Sequence, residues 1–86
     1  SASADSAAGG PSYLLQVGSF RDAGDAEQMK ARLALLGIMA QVQAVTVNGA
    51  TWHRVRVGPV SGARQADDMR SRLDDNGIDS LVLENQ

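Results

Sequence analysis

Val17-Gly18-Ser19-Phe20 and Val57-Gly58-Pro59-Val60 begin two copies of one pattern, set 40 residues apart. Behind them, Ala23, Ala26, Met29, Arg32, Leu33, Gly37 and Ile38 recur as Ala63, Ala66, Met69, Arg72, Leu73, Gly77 and Ile78. The Val-Gly runs read as strand ends. Ala26, Met29 and Leu33, like Ala66, Met69 and Leu73, follow i, i+3, i+7 spacing and form one stripe of a helix. Gly37 and Gly77 then stand where a helix takes a left-handed residue just past its last turn. The unit is strand–helix–strand, used twice. The resulting β-α-β-β-α-β order predicts an α+β, ferredoxin-like split βαβ sandwich. Four antiparallel strands form one sheet, with strands 1 and 3 central. Two helices cover one face and leave the other open.

Working outward, the first strand covers roughly residues 12–19 and the second about 39–47. Asn48-Gly49 is the strongest hairpin signal in the chain, because a type I′ turn needs positive φ twice. Strand 3 is expected over about 51–58 and strand 4 over about 80–84. Helix 1 is expected to begin at a capping box formed by Asp25 and Gln28, and helix 2 after Ser61 or Gly62. Residues 1–11, mostly Ser, Ala and Gly, are too poor in large apolar groups to pack and read as a flexible linker. The folded domain is therefore expected over residues 12–86.

With 86 residues the chain makes one small domain. It has no cysteine, which removes disulfides, thiolate metal sites and thiol nucleophiles. A net charge of −2 argues against a general nucleic-acid binder. No apolar run reaches transmembrane length. The start has neither an initiator Met nor the order of a signal peptide, as expected of a domain from a longer protein. His53 has no second histidine beside it, and Asp67, Asp68, Asp74 and Asp75 do not converge, because adjacent helical residues point about 100° apart. No nucleophile–base pair is evident, so neither catalysis nor a cofactor nor a metal is expected.

The repeat also fixes strand parity. Val55 and Val57 form the apolar side of strand 3, and Tyr13, Leu15 and Val17 take the same role on strand 1. Trp52, Arg54 and Arg56 then face the uncovered side, with Leu14 and Gln16 beside them. Phe20 has the wrong parity for a regular strand; a bulge at Gly18 would return it to the core and turn Ser19 outward. On strand 4, Leu81 and Leu83 are expected inward, with Ser80, Val82 and Glu84 outward. The open face thus gathers an indole, two guanidinium groups, an amide and a hydroxyl. That set suits a sugar ring, whose C–H face packs on Trp while polar groups meet hydroxyls, acetamido groups or a carboxylate.

Residues 13–20 (Tyr-Leu-Leu-Gln-Val-Gly-Ser-Phe) and 52–60 (Trp-His-Arg-Val-Arg-Val-Gly-Pro-Val), each followed by a helix ending in glycine, resemble the SPOR domains of bacterial cell-envelope proteins. The similarity runs over about residues 12–84 and is most like the C-terminal domain of an FtsN-type cell-division protein. It implies a non-catalytic module that binds peptidoglycan glycan strands lacking stem peptides, so-called denuded glycan. It also implies a periplasmic location at the division septum, within a membrane-anchored or lipoprotein parent. This domain itself would touch no membrane and would act as a single copy. The matching site positions are Gln16, Ser19, Trp52, Arg54 and Val82; parity adds Leu14 and Arg56.

Other readings of the same residues stay open. Trp52 can shield the hairpin as a half-buried edge residue, and Arg54 and Arg56 can be solvated charges that pair with Glu84. Gln16 can be a cross-strand hydrogen-bonding residue, and Ser19 a residue favoured at a bend. An RRM-like single-stranded RNA binder shares the topology, although strand 3 lacks the aromatic pattern of such domains. An ACT-like metabolite-binding domain and a protein-interaction domain using an edge strand complete the alternatives.

Overall fold

The computed structural model describes residues 10–85, so most of the expected linker, residues 1–9, lies outside the described residues. Its elements are β1 (Ser12–Phe20), α1 (Ala23–Leu35), β2 (Ala40–Val47), β3 (Ala50–Ser61), α2 (Ala63–Asp75) and β4 (Leu81–Asn85). All neighbouring strands are antiparallel, in the order β2-β3-β1-β4, with β1 and β3 central as the repeat predicts. Pro11 already belongs to the fold, since its carbonyl accepts from the Gly62 N–H at 2.9 Å.

Both helices pack on one face. Leu15, Val17, Val55 and Val57 from the central strands join Ala26, Leu33 and Leu73 in a single buried cluster. Ile38, Ala40 and Ile78 complete it, while Met29 and Met69 pack against it. Each buried leucine excludes apolar area worth roughly 1.5–3 kcal/mol. Each helix ends in the same Schellman turn: Gly37 N–H bonds the Ala34 carbonyl and Ile38 N–H the Leu33 carbonyl, both at 2.9 Å. Gly77 and Ile78 repeat this with Asp74 and Leu73. The two helix ends are also tied to each other. Arg32 donates to the Asn76 carbonyl at 2.9 Å, and Arg72 donates to the Leu36 carbonyl. Each arginine thus places positive charge where the other helix dipole is negative.

The helix 1 cap differs from the sequence expectation. Asp22 rather than Asp25 is the N-cap, its carboxylate accepting from the Gly24 N–H at 2.7 Å. The carboxylate of Asp22 reaches forward to the first-turn N–H of Gly24 without any capping box. The Asn48-Gly49 turn has φ of 51° and 80°, as type I′ requires. It aligns β2 with β3 without interruption from Val47↔Ala50 to Ala40↔Val57.

Two irregularities break the central β1–β3 pair. Gln16 faces Arg56 but Gly18 faces Val55, so β1 carries one extra residue at Val17. Tyr13 faces Val60 but Leu15 faces Val57, so β3 carries the extra residue at Gly58-Pro59. The first bulge has the expected effect: Ser19 is exposed and Phe20 packs against the core. A Cβ is resisted in both places, more strongly at Gly58. A Cβ on Gly18 would lie 2.5 Å from the Phe20 ring, and one on Gly58, whose φ is 119°, would lie 2.8 Å from the Tyr13 carbonyl oxygen.

These contacts rank two substitutions. Gly58→Ala meets backbone and an unfavourable φ together and should cost about 3 kcal/mol. Gly18→Ala meets only the end of a side chain that can swing away, and should cost about 1–2 kcal/mol. Urea unfolding midpoints read by circular dichroism will test this; equal midpoints for the two variants would contradict the ranking.

Candidate functional site

Paired residues of an antiparallel ladder share a face, so the strand registers assign the open side directly. Val45 lies beside Trp52 on β3. The next row runs Gln43, Arg54, Ser19, and the row after it Gln41, Arg56, Gln16, Leu81. Leu14 and Leu83 form a further pair on the same side. The sheet therefore brings Leu14, Gln16, Ser19, Trp52, Arg54 and Arg56 together as the sequence predicts.

Strand β4 corrects one expectation. Leu15 is fully buried and pairs with Val82, which packs against the core, so Val82 lies on the helix side. Leu81 and Leu83 take the open face instead, and Glu84 shares the helix side with Tyr13. Val82 is thus removed from the open-face set and two leucines enter it. The signal was present in the repeat: Val82 corresponds to Val42, which also packs against the core, while Leu81 and Leu83 correspond to Gln41 and Gln43. Gln43 and Gln41 were equally open to prediction, since a two-residue hairpin turn dictates which β2 residues oppose Arg54 and Arg56.

Arg56 organises the centre. Its Nε donates to Gln16 Oε1 at 3.1 Å and its Nη1 to Gln43 Oε1 at 3.2 Å. Both amide oxygens are thereby held toward Arg56, which leaves their NH2 groups to serve as donors. Arg54, flanked by Ser19 and Gln43, makes no side-chain hydrogen bond or ion pair among the described residues. Around Arg56 the face dips into a depression of about 380 Å³ that includes Leu14, Gln41 and Gln43 in its lining.

Trp52 is half-buried, and the Arg21 guanidinium lies over its ring at 5.3 Å from the centroid. Sequence parity gave no sign of this contact, because Arg21 follows the end of β1 and approaches from outside the strand pattern. His53 faces Phe20 on the helix side, in the partly buried position its parity predicts.

The arrangement can stack one flat ring, bind one anion bidentately, and offer amide and hydroxyl groups in a plane. It defines a two-layer domain in which the helices cover one sheet face and leave the other open. The SPOR domain family model matches residues 9–84, and the chain belongs to that family. Two solved structures are similar. One is the RlpA SPOR domain from Pseudomonas aeruginosa, with 27% identity, a TM-score of 0.75, and coverage of 85% of this chain and 99% of that one. The other is the peptidoglycan binding domain of the B. subtilis cell wall lytic enzyme CwlC. It shares the fold at 22% identity and a TM-score of 0.72, over 88% of this chain and 91% of that one.

The Arg21–Trp52 contact is directly measurable, because the protein has a single Trp. Arg21→Ala should raise acrylamide quenching of Trp52 fluorescence while changing stability by less than about 1 kcal/mol. Unaltered quenching would show that the guanidinium does not cover the indole in solution.

Proposed function

We propose that this domain is a non-catalytic peptidoglycan-binding module that holds denuded glycan strands on its open sheet face and brings its parent protein to the division septum. The observation that carries the reading is the alignment of Trp52, Arg54, the Arg56–Gln16–Gln43 cluster and Ser19 on one face. Membership of the SPOR family and the fold shared with a peptidoglycan binding domain support it.

The chemistry explains a preference for bare strands. In intact peptidoglycan the muramic acid lactyl group is tied up as an amide to the stem peptide. Amidase cleavage removes that bulk and frees a carboxylate. A nearly flat sheet face can then meet the strand, and Arg54 gains an anion it can bind through two parallel hydrogen bonds. Once the Arg21 guanidinium moves off the indole, Trp52 packs against the C–H face of a neighbouring sugar, while the Gln16 and Gln43 NH2 groups and Ser19 meet oxygens. The same face is poorly made for RNA, which is gripped by stacking two or three bases. Among its open-face residues only Trp52 is aromatic, and the net charge is −2. No described helix is long and apolar enough to cross a membrane.

Sacculi incubated with the domain before and after amidase treatment test the reading. Binding should rise strongly on denuding. Trp52→Ala should lose about tenfold or more, as expected when a central aromatic contact is removed. Arg54→Ala should bind more weakly and with a flatter salt dependence. Equal binding to both preparations would reject selectivity for bare strands, and undiminished binding by folded Trp52→Ala would reject the site.

A further inference from the structure

Among the described residues, Arg21 has no protein oxygen to bond. Arg32, Arg56, Arg70 and Arg72 each donate to one. The carboxylate next to Arg21 in sequence, Asp22, is committed to the cap of α1, where it accepts from the Gly24 N–H. The Arg21 guanidinium lies instead over the Trp52 ring, 5.3 Å from its centroid. Arg21 is exposed and Trp52 half-buried, so the cation covers the side of the indole that reaches solvent. That is the side on which a sugar would pack.

Guanidinium and sugar therefore compete for one ring face, and the outcome depends on the charge of the glycan. An exposed cation–π contact is weak, and displacing it lowers affinity by about two- to fivefold. A neutral glycan bears that loss without return. A strand freed of its stem peptides does not. Muramic acid alternates with N-acetylglucosamine along it, so a glucosamine unit stacked on Trp52 has a lactyl carboxylate on the sugar to either side. Arg54, two residues along β3, meets one of them. The displaced Arg21, which comes in from past the end of β1, meets the other. A guanidinium fork on a carboxylate stabilises more than the same fork over an exposed ring, so the exchange favours the anionic strand.

We propose that Arg21 determines the selectivity of the open face for anionic over neutral glycans. It is the protein's own ligand for the Trp52 ring. Strands bearing carboxylates draw it aside and pair with it, whereas neutral strands displace it uncompensated. Specificity of this kind comes from a penalty on the wrong partner as well as a contact to the right one. The assignment rests on the peptidoglycan reading and adds to it a second cation beside Arg54, carried outside the sheet.

The test is calorimetric titration of wild type and Arg21→Ala with denuded glycan fragments and with neutral N-acetylglucosamine oligomers of the same length. Wild type should prefer the denuded fragments. Arg21→Ala should bind the neutral oligomers about two- to fivefold more tightly. It should bind the denuded fragments about two- to fivefold more weakly, so the preference shrinks from both ends. Affinity for denuded fragments that holds or rises in Arg21→Ala would overturn the selectivity role and leave a simple cover. A loss shared equally by both probes would mark a structural effect and overturn it too. Wild type that binds neither probe would overturn the underlying peptidoglycan reading as well.

Discussion

One inserted residue in the central strand pair organises the rest of the molecule. At Val17-Gly18 strand β1 gains a residue against β3, and its alternation reverses from there on. Phe20 swings beneath the sheet to pack on the core beside Met29, which a Cβ on Gly18 would resist. Ser19 swings above the sheet to stand opposite Arg54. Without the bulge, a phenyl ring would face solvent and a hydroxyl would face the helices. Core closure and a polar open face are therefore two results of the same backbone irregularity.

The internal repeat supplies the frame on which this acts. Two strand–helix–strand units share one sheet and one core, and their helices end against each other through Arg32 and Arg72. Function enters where the halves differ. β3 carries Trp52, Arg54 and Arg56 on the open face, whereas β1 carries Leu14, Gln16 and Ser19. The bulge at Val17 stops β4 from zipping fully, while the Asn48-Gly49 turn lets β2 zip to its end. A symmetric scaffold thus presents an asymmetric surface, with an indole and two guanidinium groups over β3 and an amide and a hydroxyl over β1.

Most of this was legible from residues alone. The 40-residue offset gave element order and core stripes, Asn48-Gly49 gave the hairpin, and the parity break before Phe20 gave the bulge. The inversion of β4 was misread because Leu81 and Leu83 look more apolar than Val82; short edge strands expose one face to solvent, so hydrophobicity alone does not orient them. The repeat, carried one strand further, orients them correctly. Two features had no local signal. Arg21 reaches Trp52 from outside the strand pattern, and the end of β1–β4 pairing at Gln16↔Leu81 follows from backbone geometry rather than from any residue type.

The central claim is that recognition occurs on the open sheet face. Amide and side-chain NMR shifts of isotope-labelled domain, followed during titration with denuded glycan fragments, test it most directly. The account predicts that the largest shifts fall on Gln16, Ser19, Trp52 indole N–H, Arg54 and Leu81, with Met29, Met69 and the helices little affected. Largest shifts on α1, α2 or the outer edge of β2, with Trp52 unmoved, would contradict it.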